Sequence, residues 1–483
     1  MDIRHFAASI AFGSATLALA SHAEARTLSV GSGMMYANPS DAAAAAMDGD
    51  VIEIAAGTYR DVATWHANNL TIRGVGGTRA HLDAAGLTIP NGKAIWVVQG
   101  SNTTIENIEF SGAEVTDGNG AGIRQEGASV TIRNCFFHDN QDGILAGDNA
   151  TSDVVIESSE FDHNGSGDGL THNMYINHVR TFTLRGCFSH NSNIGHLVKS
   201  RALTTFILYN RILDEDGTPS YEIDLPNGGA AYIIGNVIQQ GPNTDNSTIV
   251  NFAEEGGSNP SQEFYFVNNT VVNDRSAGTF IHLAGTPMAR LVNNIFAGPG
   301  TVLNGTATQT SNLNSDTPGF ADRTGRDYHL VSGAAAIDMG TDPGSAGSQS
   351  LVPDSQYTNL ATESRMQVGS ALDVGAYEFG NMPTMGTDAG ADVVTMTDAG
   401  GTDASMGSDV VTPPGDAAPG TDSGARADGA SDASPGDAAV NPMNHGACGC
   451  RVPGGESSRG RGGAAVIALA AVAAVIARRR SRR

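Results

Sequence analysis

The chain has 483 residues and a formal net charge of −24, with 27 Lys and Arg against 51 Asp and Glu. That balance disfavours nucleic-acid binding, which needs a basic face. Four cysteines are too few for a disulfide scaffold at this length, and 61 glycines point to a chain rich in turns.

In chain order, residues 1–25 read as an export signal. Arg4 and His5 are followed by the mostly apolar run Phe6–Ala20 and by Ala23-Glu24-Ala25, an A-x-A cleavage site. Residues 26–380 are acidic on their own account, at −21. Within them Pro39–Met47 carries one short helical pattern. The remainder is a series of short β-rich runs that end in Gly, Asn or Ser.

Those runs align as a repeat. They are Leu70–Gly74, Thr104–Asn107, Val130–Asn134, Val154–Ser158, Phe182–Gly186, Phe206–Asn210, Tyr232–Asn236, Tyr265–Asn269 and Arg290–Asn294. Their last positions lie 24 to 33 residues apart. Propeller blades would need a longer period, about 40–50 residues. A period in the mid-twenties with three short strands per turn predicts an all-β, right-handed parallel β-helix. In that fold a stacked Asn tolerates the left-handed turn and bonds its amide to neighbouring coils. Asn107, Asn134, Asn210, Asn236, Asn269 and Asn294 are therefore expected as a structural ladder. Cys135 and Cys187 follow ladder positions two coils apart, with Ser159 between. Two coils span roughly 9–10 Å, too far for a disulfide, so both are expected reduced and buried.

The ends of the body strengthen the assignment. Asp48–Tyr59 (DGDVIEIAAGTY) resembles the first coil of pectate-lyase-like β-helix proteins, after a short capping helix. Asp327-Tyr-His-Leu330, Ala336–Gly340 and Asp373–Phe379 resemble the closing segment of secreted bacterial β-helix proteins. The resemblance covers about 30–380 and implies the pectin-lyase-like solenoid. It specifies no reaction, because lyases, hydrolases, isomerases and adhesins share the scaffold.

Residues 381–447 lack aromatic side chains and carry ten aspartates against one arginine, which predicts an extended disordered stalk. Then come Cys448-Gly449-Cys450, the apolar run Ala464–Ala477 and the tail Arg478–Arg483. This C-terminus resembles the MYXO-CTERM sorting signals of myxobacterial surface proteins. The resemblance implies processing by a sorting protease and membrane attachment through the tail or a lipidated cysteine. An ordinary tail anchor is the alternative, although fourteen apolar residues are short of the about 20 that span a bilayer. The domain is thus expected exported, held at the cell surface and monomeric, with a polysaccharide or cell-surface glycan as partner.

Polar residues concentrate in the middle coils. His163, His172, His178, His190 and His196 fall within one stretch, followed by Lys199, Arg201, Asp214-Glu215-Asp216 and Tyr221–Asn227. Counted back from the ladder, His172 aligns with His196, Tyr175 with Lys199 and Arg201 with Asn227. Glu222 falls beside His196 and Asp224 beside Val198, to within one residue. Lys199 and Arg201 share a strand parity and are expected to face solvent. His172 and His178, six apart, do not form a recognised zinc pair.

The lyase resemblance implies a chemistry for this cluster. Elimination across a uronic acid needs a base, a group that neutralises the carboxylate, and an acid for the leaving oxygen. Lys199 is the candidate base and Arg201 the carboxylate or acid partner. His196 or Tyr175 is the proton donor, and His172 and Asn227 are substrate contacts. Asp214, Asp216, Glu222 and Asp224 are the candidate Ca²⁺ ligands. A glycoside hydrolase is a further possibility, through Asp224 paired with Glu222 or Asp216. A non-catalytic glycan-binding or adhesion protein remains the reading from a different class, since an acidic body repels a polyuronate.

Overall fold

A computed structural model describes residues 25–381. The segments expected as signal peptide, stalk and sorting tail lie outside those residues. The described chain is a parallel β-helix capped by one short helix, Pro39–Ala45, with Pro39 at its first turn. Three strands per coil build three faces. Two faces form one 21-stranded sheet, because the bent strand Thr71–Asp83 pairs into both; the third is a separate ten-stranded sheet.

The interior follows from alternation. In Val154–Glu157, for example, Val154 and Ile156 point in while Val155 and Glu157 point out. Like residues then stack from coil to coil. Phe110, Phe137 and Phe161 lie with ring centroids 5.0 and 4.8 Å apart and nearly parallel.

The asparagine repeat resolves into two columns. In the buried one, each backbone N–H donates to the side chain of the next coil. Cys135 N bonds Ser159 Oγ at 3.1 Å, Ser159 N bonds Cys187 Sγ at 3.4 Å, and Cys187 N bonds Asn210 Oδ1 at 2.9 Å. Asn236, Asn269, Asn294 and Asn312 continue it, each accepting at 2.9 Å. The preceding residue in each coil takes positive φ: Asn107 (58°), Asn134 (49°), Ser158 (50°), Gly186 (61°) and Tyr209 (55°). Asn107 and Asn134 therefore belong to the left-handed column and are not rungs of the buried ladder, as the repeat had implied. The two cysteines occupy the ladder itself.

Both thiols are free, fully buried and pushed up to about 12 by burial. Only the thiolate is nucleophilic. Alkylation of the folded protein at mildly alkaline pH is therefore expected to spare Cys135 and Cys187, with both labelled once urea unfolds it. Peptide mass mapping reads the difference.

The closing segment returns along the flank. Arg365 and Glu378 pair at 3.1 Å with no solvent exposure, and Arg365 also caps the carbonyls of Asp373, Gly375 and Ala376. Gly375 sits at φ +98°, where a Cβ would stand 2.6 Å from Ile295 Cδ1, so only glycine passes. Asn268 Nδ2 donates to Asp373 O and Tyr209 OH accepts from Asp354 N. This strap packs on the two fused faces.

Candidate functional site

The outward positions of the ten-stranded sheet form one row, in register from coil to coil: Arg124, Leu145, Tyr175, Lys199, Asp224, Asn251 and His282. Their strand neighbours Met174, Ile176, Val198, Ile223 and Leu225 fill the interior. A second ladder fixes the turn leading into the row. Asn140 N bonds Asn164 Oδ1, Asn164 N bonds Asn173 Oδ1, and Asn173 Nδ2 reaches His190 O at 2.8 Å. A Cβ on Gly195 would stand 2.0 Å from Thr171 O, so glycine is what lets His196 stack directly on His172.

Lys199 is 1% exposed although it lies on the outer side of its strand. Its Nζ stands 3.8 Å from Asp224 Oδ2 and 5.4 Å from the centre of the Tyr175 ring. No hydrogen bond to that ammonium occurs among the described residues. Asp224 Oδ1 accepts from Asn251 Nδ2 at 2.8 Å, and its Oδ2 lies 3.5 Å from His196 Nε2. Burial raises the Asp224 carboxyl pKa, partly opposed by the Lys199 charge and the Asn251 bond.

The two histidines stack at 4.4 Å. His196 N donates to His172 Nδ1 at 3.0 Å, and Tyr221 N donates to His196 Nδ1 at 3.4 Å. Each Nδ1 is thus an acceptor, which places the proton of the neutral ring on Nε2. Burial, with Lys199 and Arg201 nearby, holds both well below the usual histidine range. Behind them Asp142 Oδ1 accepts from His172 N at 2.8 Å, and burial pushes that carboxyl well up.

Arg201 donates from Nε to Tyr175 OH at 2.9 Å and from Nη1 to Asn227 Oδ1. It also grips Glu255 with two bonds of 2.6 and 3.1 Å. Burial works against its charge, but Glu255 and Tyr175 outweigh that and raise its pKa.

The structure thus brings together Tyr175, Lys199, Arg201, His172, His196, Asn227 and Asp224. It corrects two details. Asp224 pairs with Lys199, one residue from the expected Val198, and neither Lys199 nor Arg201 faces bulk solvent. The four acids expected around calcium are not brought together. Asp214 and Glu222 are both buried, and burial pushes both carboxyls up, Asp214 to about 7. Asp216 is 86% exposed and bonds Arg326 at 2.8 Å. Asp224 faces Lys199, His196 and Asn251 instead of Glu222 or Asp216.

Sequence reasoning missed Arg124, Asp142, Asn251 and Glu255. Arg124 stands 11 residues before the ladder residue Cys135, as Lys199 does before Asn210, whereas longer loops after Asp142 and Asn251 hide their place from such a count. Glu255 arrives from 54 residues away and left no local signal.

His190 serves the scaffold. Its ring lies 3.8 Å from the Phe188 ring and contacts Glu160, Glu215 and Asp162 within 3.4 Å. Burial pulls its pKa down, but the bonds to Glu160 and Glu215 and the nearby charges outweigh it and push it up to about 9. The raised value means the imidazolium stabilises the fold fully below its ordinary pKa of about 6.5, and that this contribution disappears as pH rises through about 9. His190→Gln is expected to cost on the order of 2 kcal/mol near pH 6 and little near pH 10, read by urea unfolding at both.

A family profile described as "Right handed beta helix region" matches residues 59–238. The chain is a right-handed parallel β-helix. Among solved structures it is similar to pectate lyase Pel9A, at 17% identity and TM-score 0.50, covering 73% of this chain and 96% of that one. An alginate lyase from Paenibacillus sp. str. FPU-7 matches at 16% identity and TM-score 0.35, covering 59% and 99%. A pectin methylesterase from Aspergillus niger matches at 14% identity and TM-score 0.26, covering 65% and 92%. At these identities the likeness is one of fold. No curated protein sequence matches the chain.

Proposed function

We propose that this β-helix acts on an acidic polysaccharide by β-elimination, with Lys199 as the base. The observation that carries the reading is a lysine enclosed on the outer row without a hydrogen bond, flanked in register by Tyr175 and Asp224. In its free-amine form, Lys199 takes the C5 proton of a bound uronate. The electrons form the C4–C5 double bond, the C4–O bond breaks, and the leaving oxygen takes a proton. Tyr175 supplies that proton better than His196, whose neutral ring is a poor acid. Arg201 neutralises the substrate carboxylate by exchanging its bond with Glu255. Arg124 lies three strands from Lys199, about 14 Å along the axis, where it would meet the carboxylate of a more distant sugar.

Export and surface retention complete the proposal and rest on residues 1–25 and 448–483. The test is incubation of the protein with pectate, alginate and glycosaminoglycans, with and without Ca²⁺, following absorbance of the unsaturated uronyl product. A rise with one of them supports elimination; no rise with any sinks it. The second reading, glycan binding without chemistry, draws on the Arg201–Glu255 bond, which already satisfies the cation. It expects retention of a polysaccharide with no product.

A further inference from the structure

A second cluster lies on a different face, in the N-terminal coils. His81, Glu109 and His138 come from three successive strands, Thr71–Asp83, Ile108–Ser111 and Phe136–His138. One ligand atom from each lies within 4.8 Å of the others. The Glu109 carboxylate is the centre: its Oε1 stands 3.5 Å from His81 Nε2 and 3.2 Å from His138 Nε2. His81 and Glu109 line an open groove of about 550 Å³ with Arg79 and Asn134.

The hydrogen bonds around the cluster set which atoms face inward. His138 Nδ1 contacts Asp139 Oδ2 at 2.7 Å, which places the ring proton on Nδ1 and leaves a lone pair on Nε2. His81 Nε2 lies 2.7 Å from the Ser111 hydroxyl, which can donate to it. With the ring protons on Nδ1, two imidazole nitrogens converge on one carboxylate oxygen as acceptors. A cation between them removes that repulsion. A proton on one ring relieves only one of the two contacts, whereas a metal ion relieves both. The separations also suit a metal. Tetrahedral zinc with bonds of about 2.0–2.1 Å holds its ligands roughly 3.3 Å apart.

We propose that His81, Glu109 and His138 bind a divalent transition-metal ion, zinc by their chemistry, with an open position toward the groove. Two imidazoles and one carboxylate suit zinc, whereas calcium takes six to eight oxygens. Asp139 orients His138 as a positioning residue, and Ser111 is placed to bond a water on the ion. The ion would clip three consecutive coils together near the N-terminal end.

The experiment uses the full chain without an affinity tag, stripped with chelator and titrated with Co²⁺ as the spectroscopic probe, then with Zn²⁺. The expected result is one equivalent with visible tetrahedral cobalt absorption, displaced by zinc, and a melting temperature raised by the metal. His138→Gln should weaken binding by roughly 100-fold, and Asp139→Asn by roughly 10-fold. The variant His81→Asn/His138→Gln should keep the fold, since both side chains lie on the outer side of their strands and are only half-buried, and lose the cobalt spectrum and the melting shift. Absence of the tetrahedral spectrum in the parent protein, or its persistence in the double variant, overturns the assignment.

Discussion

Replacing Lys199 by Met is expected to cut eliminative turnover by roughly 10²–10⁴-fold, the range for losing a positioned general base. The fold should survive, for a reason visible in the contacts. Lys199 contributes no hydrogen bond among the described residues, and Met fills the same slot with apolar atoms. Asp224, the charge left behind, keeps Asn251 Nδ2 at 2.8 Å and faces His196 Nε2. Its carboxyl is already pushed up by burial, so it can take a proton instead of standing as an unpaired charge. Removing one partner of a buried ion pair costs about 3–5 kcal/mol when the other charge is stranded, and protonation of Asp224 is expected to hold the loss at or below the low end of that range. Turnover and urea unfolding measured on one preparation separate the two effects. A variant as active as the parent removes Lys199 from the chemistry. A variant that unfolds makes the buried lysine a structural group.

The largest stability loss is expected in the ladder, far from the site. The Asn236 amide donates to Ile207 O at 2.8 Å and to Asn269 Oδ1 at 2.9 Å, and accepts from Asn210 N and Nδ2 at 2.9 and 3.0 Å. All of these groups are buried. Asn236→Ala strands several at once, and each buried unsatisfied group costs about 1–3 kcal/mol. The total is expected on the order of 4 kcal/mol by urea denaturation. Asn134→Ala is the control. Its side chain is exposed and its backbone left-handed, so the loss should be about 1 kcal/mol. Equal losses at the two positions would mean that they belong to one column after all.

That contrast shows what was legible in the sequence. Period and turn chemistry were enough for the fold and the reduced cysteines, because each coil repeats the same local rule; the capping helix was read from its own helical pattern and the closing segment from its resemblance to secreted bacterial β-helix proteins. The one-residue offset between the two Asn columns was not legible. Asn suits both positions, one for its amide and one for its tolerance of positive φ. In the site, Asp224 was placed beside Val198 to within one residue when it pairs with Lys199, because the stretch from Asp224 to its ladder residue Asn236 is one residue longer than that from Lys199 to Asn210. The proximity of His172, His196, Tyr175 and Lys199 was recovered because coil spacing alone determines it. The fate of the acids was not, because it depends on contacts far apart in sequence. Arg326 reaches Asp216 across 110 residues, and Asp214 turns inward to Glu222. The Glu109 centre was invisible for the same reason: its two histidines stand on the coils either side of it, without a short motif.

The assignment of Lys199 as the base of an elimination is tested most directly by the products it leaves. Pectate and alginate are digested with the intact protein and the oligosaccharides are analysed by mass spectrometry. Elimination predicts fragments with an unsaturated uronyl end, each lighter by one water than the hydrolysis product of equal length, and absent from the Lys199→Met digest. Saturated fragments, or unsaturated ones that persist in the Lys199→Met digest, would contradict it.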